Sequence, residues 1–358
     1  MIQLLIYDRR WCFYINLPIG ALTILIIVLI LKLPSPETTG TSIKQKFLQL
    51  DPLGSLCFLP CIVCLLLALQ WGGSTYPWKD GRIVTLLVIS GVLLIAFIAV
   101  QSWKQETATV PPRIMKQRSI ASGFCFSLCL GASMVVMIYY LPLWFQAIKG
   151  VSAVESGIRN LPLILSLVIA SIVSGGAIAA IGYYAPFMII STVLMSTGAG
   201  LLTTFQPDTG GSKWIGYQIL FGIGLGLGMQ QPNMAAQTVL SRQDVPIGAS
   251  LMFFAQALGG AVFISIAQSV FTNTLVRGLN NVSGLDPINV VNIGATDVRK
   301  IVATNDLSAV LLAYNSALTN AYNVALAMAC LSAVGALTVE WRSVKGKKHG
   351  SGVAEAQE

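Results

Sequence analysis

Long apolar stretches separated by short polar segments form the main pattern of this chain. Nine of the stretches reach roughly the 20 residues that an α-helix needs to cross a bilayer. The pattern predicts an all-α polytopic membrane protein with about nine transmembrane helices. The predicted spans are Tyr14 to Leu31, Leu53 to Gln70, Ile83 to Gln101, Ile120 to Phe145, Leu161 to Ile181, Phe187 to Phe205, Trp214 to Val239, Ala249 to Phe271 and Leu318 to Trp341.

The stretch from Trp214 to Leu240 carries its polar groups in one line. Spacings of three and four residues place them on one face of a helix, and Pro232 is expected to kink that helix beside them. An unpaired amide facing lipid is costly, so such amides face a partner helix or a cavity. Two interpretations follow, interhelical hydrogen bonding and a wall of a substrate pathway. The line consists of Gln218, Gly222, Gly226, Gln230, Asn233 and Gln237, and Gln231 joins it as a pathway candidate.

Glycines recur in the same stretch at spacings that let a neighbouring helix backbone approach closely. They are interpreted as helix-packing positions, and two glycine pairs in other spans are interpreted in the same way. These glycines are Gly222, Gly224, Gly226 and Gly228, with the pairs Gly175–Gly176 and Gly259–Gly260.

The span from Ile120 to Phe145 has a second stripe, with Ser133, Met137, Tyr140 and Trp144 spaced four, three and four residues apart. Polar-tipped aromatics and polarisable methionines suit a cavity that holds varied apolar molecules. The competing interpretation is an aromatic belt, because the two aromatics lie near the end of the span. Weaker pathway candidates of the same kind are Gln146 and Gln256.

Composition supports the membrane class and narrows the chemistry. Apolar residues make up 55% of the chain and charged residues 10%, with a net charge of +8. A soluble domain carries roughly a quarter charged residues. The basic residues lie in loops and suit anionic lipid, so no nucleic-acid partner is expected. With one histidine in the chain and no paired catalytic groups, the sequence predicts neither an enzyme nor a metal or other cofactor site.

Charge also predicts the orientation. Basic residues cluster in 102–119 and 342–358, which makes both segments cytoplasmic by the positive-inside rule. Segment 272–317 is then external, and its Asn281-Val-Ser sequon is a glycosylation candidate. Part of that segment, Ala295 to Leu312, has near-helical apolar spacing and is expected to lie along the membrane surface or to form a solvated loop.

Several motifs resemble one transporter family. The segment Arg10-Trp-Cys-Phe-Tyr-Ile-Asn-Leu-Pro-Ile-Gly20 is similar to the signature before the sixth helix of the fourteen-helix drug:proton antiporter branch of the major facilitator superfamily. The runs Asp51-Pro-Leu-Gly54 and Leu65-Leu-Leu-Ala-Leu-Gln-Trp-Gly-Gly73 look like the two extra helices of that branch. The similarity continues through Gly157-Ile-Arg-Asn-Leu-Pro-Leu163, Gly182-Tyr-Tyr-Ala-Pro-Phe187, Gly216-Tyr-Gln-Ile-Leu220 and Asp244-Val-Pro-Ile-Gly-Ala249.

The resemblance implies a partial major facilitator fold that is truncated at its N-terminus by five helices. The implied parts are an external segment 1–13, the last helix of the N-terminal bundle at 14–31, a cytoplasmic loop 32–52, a two-helix insert 53–101, a cytoplasmic linker 102–119, a complete six-helix C-terminal bundle 120–341 and a cytoplasmic tail 342–358. Asp51 is expected to cap the first insert helix, since Pro52 follows it.

The same resemblance implies a function. It is proton-coupled efflux of drugs, toxins or secondary metabolites through a fungal pump in the plasma membrane, with the vacuolar membrane as an alternative. A full-length carrier would be a monomer, would use the proton gradient rather than a cofactor, and would export a small-molecule substrate. Because the predicted spans hold acids only at their ends, the coupling carboxylate is expected in the missing helices. The alternative is a truncated, non-transporting membrane fragment with a structural or interaction role.

Overall fold

The computed structural model describes residues 14, 16–30, 51–73, 76–104, 108, 110–280 and 306–347. Their secondary structure is helical apart from two isolated bridges, which confirms the all-α class. Seven helical segments within these ranges are long and apolar enough to cross a membrane. The helices are α1 (Asn16–Ile30), α2 (Pro52–Trp71), α3 (Gly81–Lys104), α4 (Pro112–Met115), α5 (Arg118–Lys149), α6 (Ala153–Arg159), α7 (Leu161–Ile181), α8 (Ala185–Thr203), α9 (Gly211–Gly228), α10 (Gln231–Val239), α11 (Val245–Leu279), α12 (Leu307–Thr338) and a short 3₁₀-helix (Val344–Lys347).

Helix α1 belongs to a separate compact unit, Met1–Leu48, and is described by itself. Its 15 residues begin with Asn-Leu-Pro, and a proline in the first turn costs no backbone hydrogen bond. At 1.5 Å per residue the helix is about 22 Å long, which is less than the roughly 30 Å of a hydrocarbon core. The predicted end of this span, Leu31, lies outside the described residues.

The second unit, Gln49–Glu358, is built around α5, which packs against α11, α12 and α10. Glycines set the closest approach of α5 and α11. A Cβ added to Gly131 would lie 2.1 Å from the Gln256 carbonyl oxygen, and one added to Gly259 would lie 2.0 Å from that of Leu128. Helix α9 packs against α7 and α8, and α8 packs against α12. Helix α7 therefore joins the bundle mainly through α9.

Not every predicted packing glycine lies at a contact. Gly259 and Gly260 do, but nothing in the described part of the chain lies within 4 Å of a Cβ added to Gly175 or Gly176. The reason is their position on α7. Its buried stripe consists of Leu163, Ser166, Ala170, Ser174 and Ile178, so the glycine pair lies off the face that meets α9.

The insert forms a hairpin, because α2 and α3 pack on each other, and α2 also touches α11. Asp51 caps α2 as expected, with its Oδ1 accepting from the Gly54 amide at 3.0 Å. The sequence did not reveal its other partners. Lys104 Nζ donates to Asp51 Oδ1 at 2.9 Å, Gln101 Nε2 donates to Oδ2 at 2.6 Å, and Gln101 Oε1 accepts from the Val110 amide at 2.8 Å. One buried carboxylate thus joins both helices of the hairpin.

One end of the bundle, the tail end, carries the turn Gly182–Tyr184, the loop Ser241–Asp244 and the segment Val339–Lys347. The Val344 amide donates to the Gly182 carbonyl at 2.8 Å, and the Tyr184 hydroxyl donates to the Glu340 carbonyl at 2.8 Å. Lys345 Nζ donates to the Ala180 carbonyl. Gly182 has φ +89°, a left-handed conformation that glycine adopts without strain. The segment after α12 is therefore fixed to the α7–α8 turn.

The linker before α5 is also fixed at the tail end. Arg113 donates to both carboxylate oxygens of Asp244, at 3.0 and 3.1 Å. That guanidinium, with the Ser241 hydroxyl, holds the pKa of the Asp244 carboxyl below its ordinary value. Burial raises the pKa of the nearby Tyr184 hydroxyl. The carboxylate is therefore charged and the phenol neutral throughout the physiological range.

The helices differ from the predicted spans mainly in length. Helix α5 has 32 residues, α11 has 35 and α12 has 32. Helix α11 runs to Leu279 and α12 begins at Leu307, so both extend into the predicted external segment 272–317. Polar side chains at the end of α11 form hydrogen bonds within the helix. Asn273, for example, donates to the Ser269 carbonyl. The helix therefore continues beyond the point where the apolar spacing ends. The expected surface stretch starts outside the described residues, and its last part, 307–312, is the first turn and a half of α12.

Candidate functional site

The amide-bearing stretch forms two helices rather than one span. Helix α9 ends at Gly228, and α10 begins at Gln231 with Pro232 in its first turn. Both residues between the helices keep right-handed helical backbone angles. Met229 has φ −60° and ψ −36°, and Gln230 has φ −96° and ψ −12°. The chain is therefore kinked at this point and does not reverse direction. Proline lacks the N–H that would continue the α9 ladder, which explains the break.

The line of polar residues divides at this break by burial. Gln218 and Gln231 are fully buried, and Asn233 is 8% exposed. Gln230 and Gln237 are exposed. Gln231 Nε2 donates to the Leu227 carbonyl at 2.5 Å, so the side chain reaches back across the break. Both amide atoms of Gln218, Oε1 of Gln231 and Oδ1 of Asn233 are buried without a hydrogen-bond partner among the described residues.

The glycines of α9 lie against two different helices. A Cβ on Gly222 would lie 2.4 Å from the Leu163 carbonyl oxygen, and one on Gly226 would lie 2.2 Å from that of Leu167, both on α7. A Cβ on Gly224 would lie 2.4 Å from the Met195 amide of α8, and one on Gly228 would lie 2.3 Å from Ser191 Oγ. The alternate glycines thus let α9 fit between α7 and α8 at backbone contact distance.

An open apolar groove of about 690 Å³ runs between α7 and α9. Its walls are aliphatic, with Ser166 as the polar exception. On α9 the groove lining ends at Leu227, just before the break. The exposed amides Gln230 and Gln237 follow after it along the chain and are not part of the lining. The main lining residues are Leu161, Leu165, Ile169 and Val173 on α7, with Ile215, Ile219, Ile223 and Leu227 on α9.

The aromatic stripe of α5 lies inside the bundle. Ser133, Met137, Tyr140 and Trp144 are all fully buried. Tyr140 donates to Gln268 Oε1 at 2.9 Å, and Trp144 Nε1 donates to Asn315 Oδ1 at 2.8 Å. In this conformation the stripe packs against α11 and α12 and is not at an open surface. Ser133 Oγ has no partner in the described part of the chain.

The two weaker candidates are half-buried and lie apart from the groove lining. Gln146 Nε2 donates to Ser156 Oγ at 3.1 Å, which joins α5 to α6. Gln256 presents its backbone to Gly131 at the α5–α11 contact. The glycosylation candidate Asn281 lies outside the described residues.

The structure adds site features that sequence reasoning missed. Asn160, 5% exposed, has a buried Oδ1 without a partner among the described residues. It stands within the quoted motif Gly157–Leu163, which was the signal available in the sequence. The groove gave no signal of its own, because an apolar groove wall and a lipid-facing wall have the same composition in a membrane protein.

Comparison with known proteins gives a consistent result. The family model described as Major Facilitator Superfamily matches residues 3–264. The transporter VdtG of Byssochlamys spectabilis is 52% identical over 95% of this chain, which covers 61% of VdtG. The efflux pump MFS1 of Arthroderma benhamiae is 54% identical over 95% of this chain and 64% of its own length. The rubrofusarin-specific efflux pump aurT of Gibberella zeae is 48% identical over 95% of this chain and 62% of its own length. The chain therefore spans under two thirds of the length of these relatives.

Proposed function

Since the chain belongs to the major facilitator superfamily, we propose that it acts within an efflux carrier for small apolar or amphipathic compounds such as toxins and secondary metabolites. Transport would proceed by alternating access coupled to protons. Relatives named as efflux pumps that align over nearly the whole chain support this proposal. The membrane-length apolar helices make it a multi-pass membrane protein.

The observation that carries the proposal is the apolar groove between α7 and α9, with the exposed amides that follow it along the chain. The groove volume of about 690 Å³ is within the 300–1,000 Å³ range of small-molecule sites. Its aliphatic walls suit an apolar body. The exposed amides of Gln230, at the kink, and Gln237, further along α10, add neutral hydrogen-bonding groups. Discontinuous helices commonly form the binding sites of transporters, because the break exposes backbone groups to the substrate. We assign first contact with substrate to these two amides.

The other pathway candidates receive a different role in this proposal. Gln231 and Asn233 flank the kink and would meet substrate as α10 pivots. Ser133, Met137, Tyr140 and Trp144 position α5 from within the bundle, Gln218 is buried on α9, and Gln146 and Gln256 lie apart from the groove lining. Position relative to the kink separates the two groups, so the ranking is open to direct test.

Proton coupling is assigned to a group outside the described spans. A coupling residue must be ionisable and reachable from both sides of the membrane. Among the described residues, the acid Glu155 lies in the first turn of α6. The other described acids lie outside the helices: Asp51, Asp80, Asp208, Asp244, Asp306 and Glu340. The tail end carries Arg113, Lys116, Arg118, Arg342 and Lys345, which supports a cytoplasmic C-terminus by the positive-inside rule. The plasma membrane is proposed from the family resemblance alone.

A chimera tests the function. This chain replaces the matching 341 residues of MFS1 and is expressed in a pump-deficient yeast beside intact MFS1 and this chain alone. A panel of amphipathic dyes is assayed first with intact MFS1, and we expect the chimera to export each dye for which intact MFS1 shows export. The double variant Gln230→Ala, Gln237→Ala should lower the export rate about tenfold, since two lost neutral hydrogen bonds cost roughly 1.4 kcal/mol or more.

The control is Gln206→Ala, which removes an exposed amide from the α8–α9 loop and should leave export unchanged. A chimera that reaches the membrane but exports nothing would support the fragment interpretation. Full export by the double variant would remove the amides from the substrate pathway. Export by this chain alone would show that its 358 residues contain what coupling needs.

A further inference from the structure

Two buried amides lie at the same level of the α7–α9 contact, at the end opposite the tail end. Gly222 of α9 lies against Leu163 and Ser166 of α7. Four residues later, Gly226 lies against Leu167, Ala170 and Ser171. The two helices therefore run parallel, with a constant offset in residue number between contacting positions. One turn earlier, that offset places Gln218 beside residues 159–162, which include Asn160. Gln218 is fully buried and Asn160 is 5% exposed.

Neither amide has all of its hydrogen-bonding atoms paired with described residues. Gln218 Nε2 and Oε1 and Asn160 Oδ1 are buried without a hydrogen-bond partner among the described residues. Buried polar side-chain atoms are bonded in the large majority of cases, and an exception calls for an explanation. Packing alone does not explain a glutamine at position 218, because a leucine would fill a similar volume without leaving a buried amide unpaired.

The same level is one end of the groove. Leu161 and Pro162 line it from α7, and Ile215 and Ile219 line it from α9 on either side of Gln218 in sequence. A molecule in the groove would meet this amide once the Gln218 side chain rotates past Ile219. The apolar groove therefore has a buried polar group beside it at this end.

The chemistry of this end favours a neutral hydroxyl group. A side-chain amide presents a donor group, its NH₂, and an acceptor group, its carbonyl oxygen, and a hydroxyl can both accept from an amide nitrogen and donate to an amide oxygen. An ether or a carboxylate only accepts, which would leave the amide oxygen unpaired. The neighbouring cation Arg159 is paired with Glu155 at 2.5 Å, so no net charge is offered to an anion.

We infer that Gln218, with Asn160 beside it, forms a polar subsite that binds the hydroxyl group of an apolar compound whose body lies in the α7–α9 groove. The inference rests on the proposed function and adds the substrate class, which is neutral hydroxylated compounds. It also fixes the direction of the bound molecule, with the hydroxyl end away from the tail end.

Binding to the purified full chain in lipid nanodiscs tests the subsite with three labelled probes: 2-naphthol, its methyl ether and 2-naphthoate. We expect 2-naphthol to bind at least tenfold more tightly than either of the others, after subtraction of uptake by empty nanodiscs. Gln218→Leu should abolish this preference while leaving the methyl ether unchanged. The melting temperature should stay the same or rise, because an unpaired buried amide is removed.

Two further variants separate the possible failures. Gln206→Leu, an exposed loop amide, should change nothing. Ile219→Trp fills the groove and should weaken both neutral probes alike. If Ile219→Trp does so but Gln218→Leu keeps the preference for 2-naphthol, the subsite is overturned and the groove stands. If neither variant affects binding, or the parent chain binds no probe saturably, both the subsite and the groove assignment are overturned.

Discussion

Gly226→Val is expected to separate α7 from the bundle and to remove most of the monodisperse protein. A Cβ at Gly226 would lie 2.2 Å from the Leu167 carbonyl oxygen and 2.9 Å from the Ser171 amide, which are backbone atoms that cannot rotate away. The two helices would have to move apart. Because α7 joins the bundle mainly through α9, little else holds it in place. Overpacking of this kind costs about 3 kcal/mol, which is a large part of a typical folding free energy.

The matched control is Gly216→Val, on the same helix and with the same added atoms. Gly216 is exposed, and nothing in the described part of the chain lies within 4 Å of its added Cβ. Its effect should stay within about 0.5 kcal/mol, as for other surface substitutions. Thermal unfolding followed by tryptophan fluorescence in nanodiscs measures both. Equal melting temperatures for the two variants would mean that backbone contact at Gly226 does not hold α7.

The glycines show how far sequence alone could go. Their spacing in Gly222 to Gly228 indicated close packing, and the structure places all four at helix contacts. The same reasoning applied to Gly175 and Gly176 did not agree with the structure. Spacing identifies which residues share a face, but the partner of that face depends on tertiary arrangement. Among the described helices, α7 packs mainly on α9, so its other faces have little described structure to approach.

The amides illustrate a second limit. Helical periodicity placed Gln218, Gln230 and Gln237 on one line, yet the first is fully buried and the other two are exposed. Burial changes along the line because α7 covers the part of it that lies on α9. The sequence of one helix does not show where a neighbouring helix ends. The aromatic stripe was open to two interpretations for a similar reason. Tyr140 and Trp144 have hydrogen-bond partners on α11 and α12, more than 100 residues away in sequence, and no local pattern indicates such a pairing.

Asp51 is the position where a single charge is expected to matter most. Its side chain is fully buried, and it accepts hydrogen bonds from the Gly54 amide, Lys104 Nζ and Gln101 Nε2. Asp51→Ala would leave the Lys104 ammonium, 16% exposed, and the Gln101 amide without this acceptor. Loss of one partner from a buried ion pair costs about 3–5 kcal/mol, so the α2–α3 hairpin should open at much lower temperature.

Asp80→Ala is the matched control, since Asp80 stands just before the second helix of the same hairpin. Its Oδ1 accepts from the Arg82 amide at 2.9 Å in an exposed setting. Loss of such a helix cap costs about 1 kcal/mol. Limited trypsin digestion reports the difference locally, because cleavage after Lys104 requires its release from Asp51. We expect rapid cleavage there in Asp51→Ala and slow cleavage in Asp80→Ala and in the parent. Similar cleavage rates in all three would show that the carboxylate is not what holds the hairpin to its linker, and that apolar packing between α2 and α3 is sufficient.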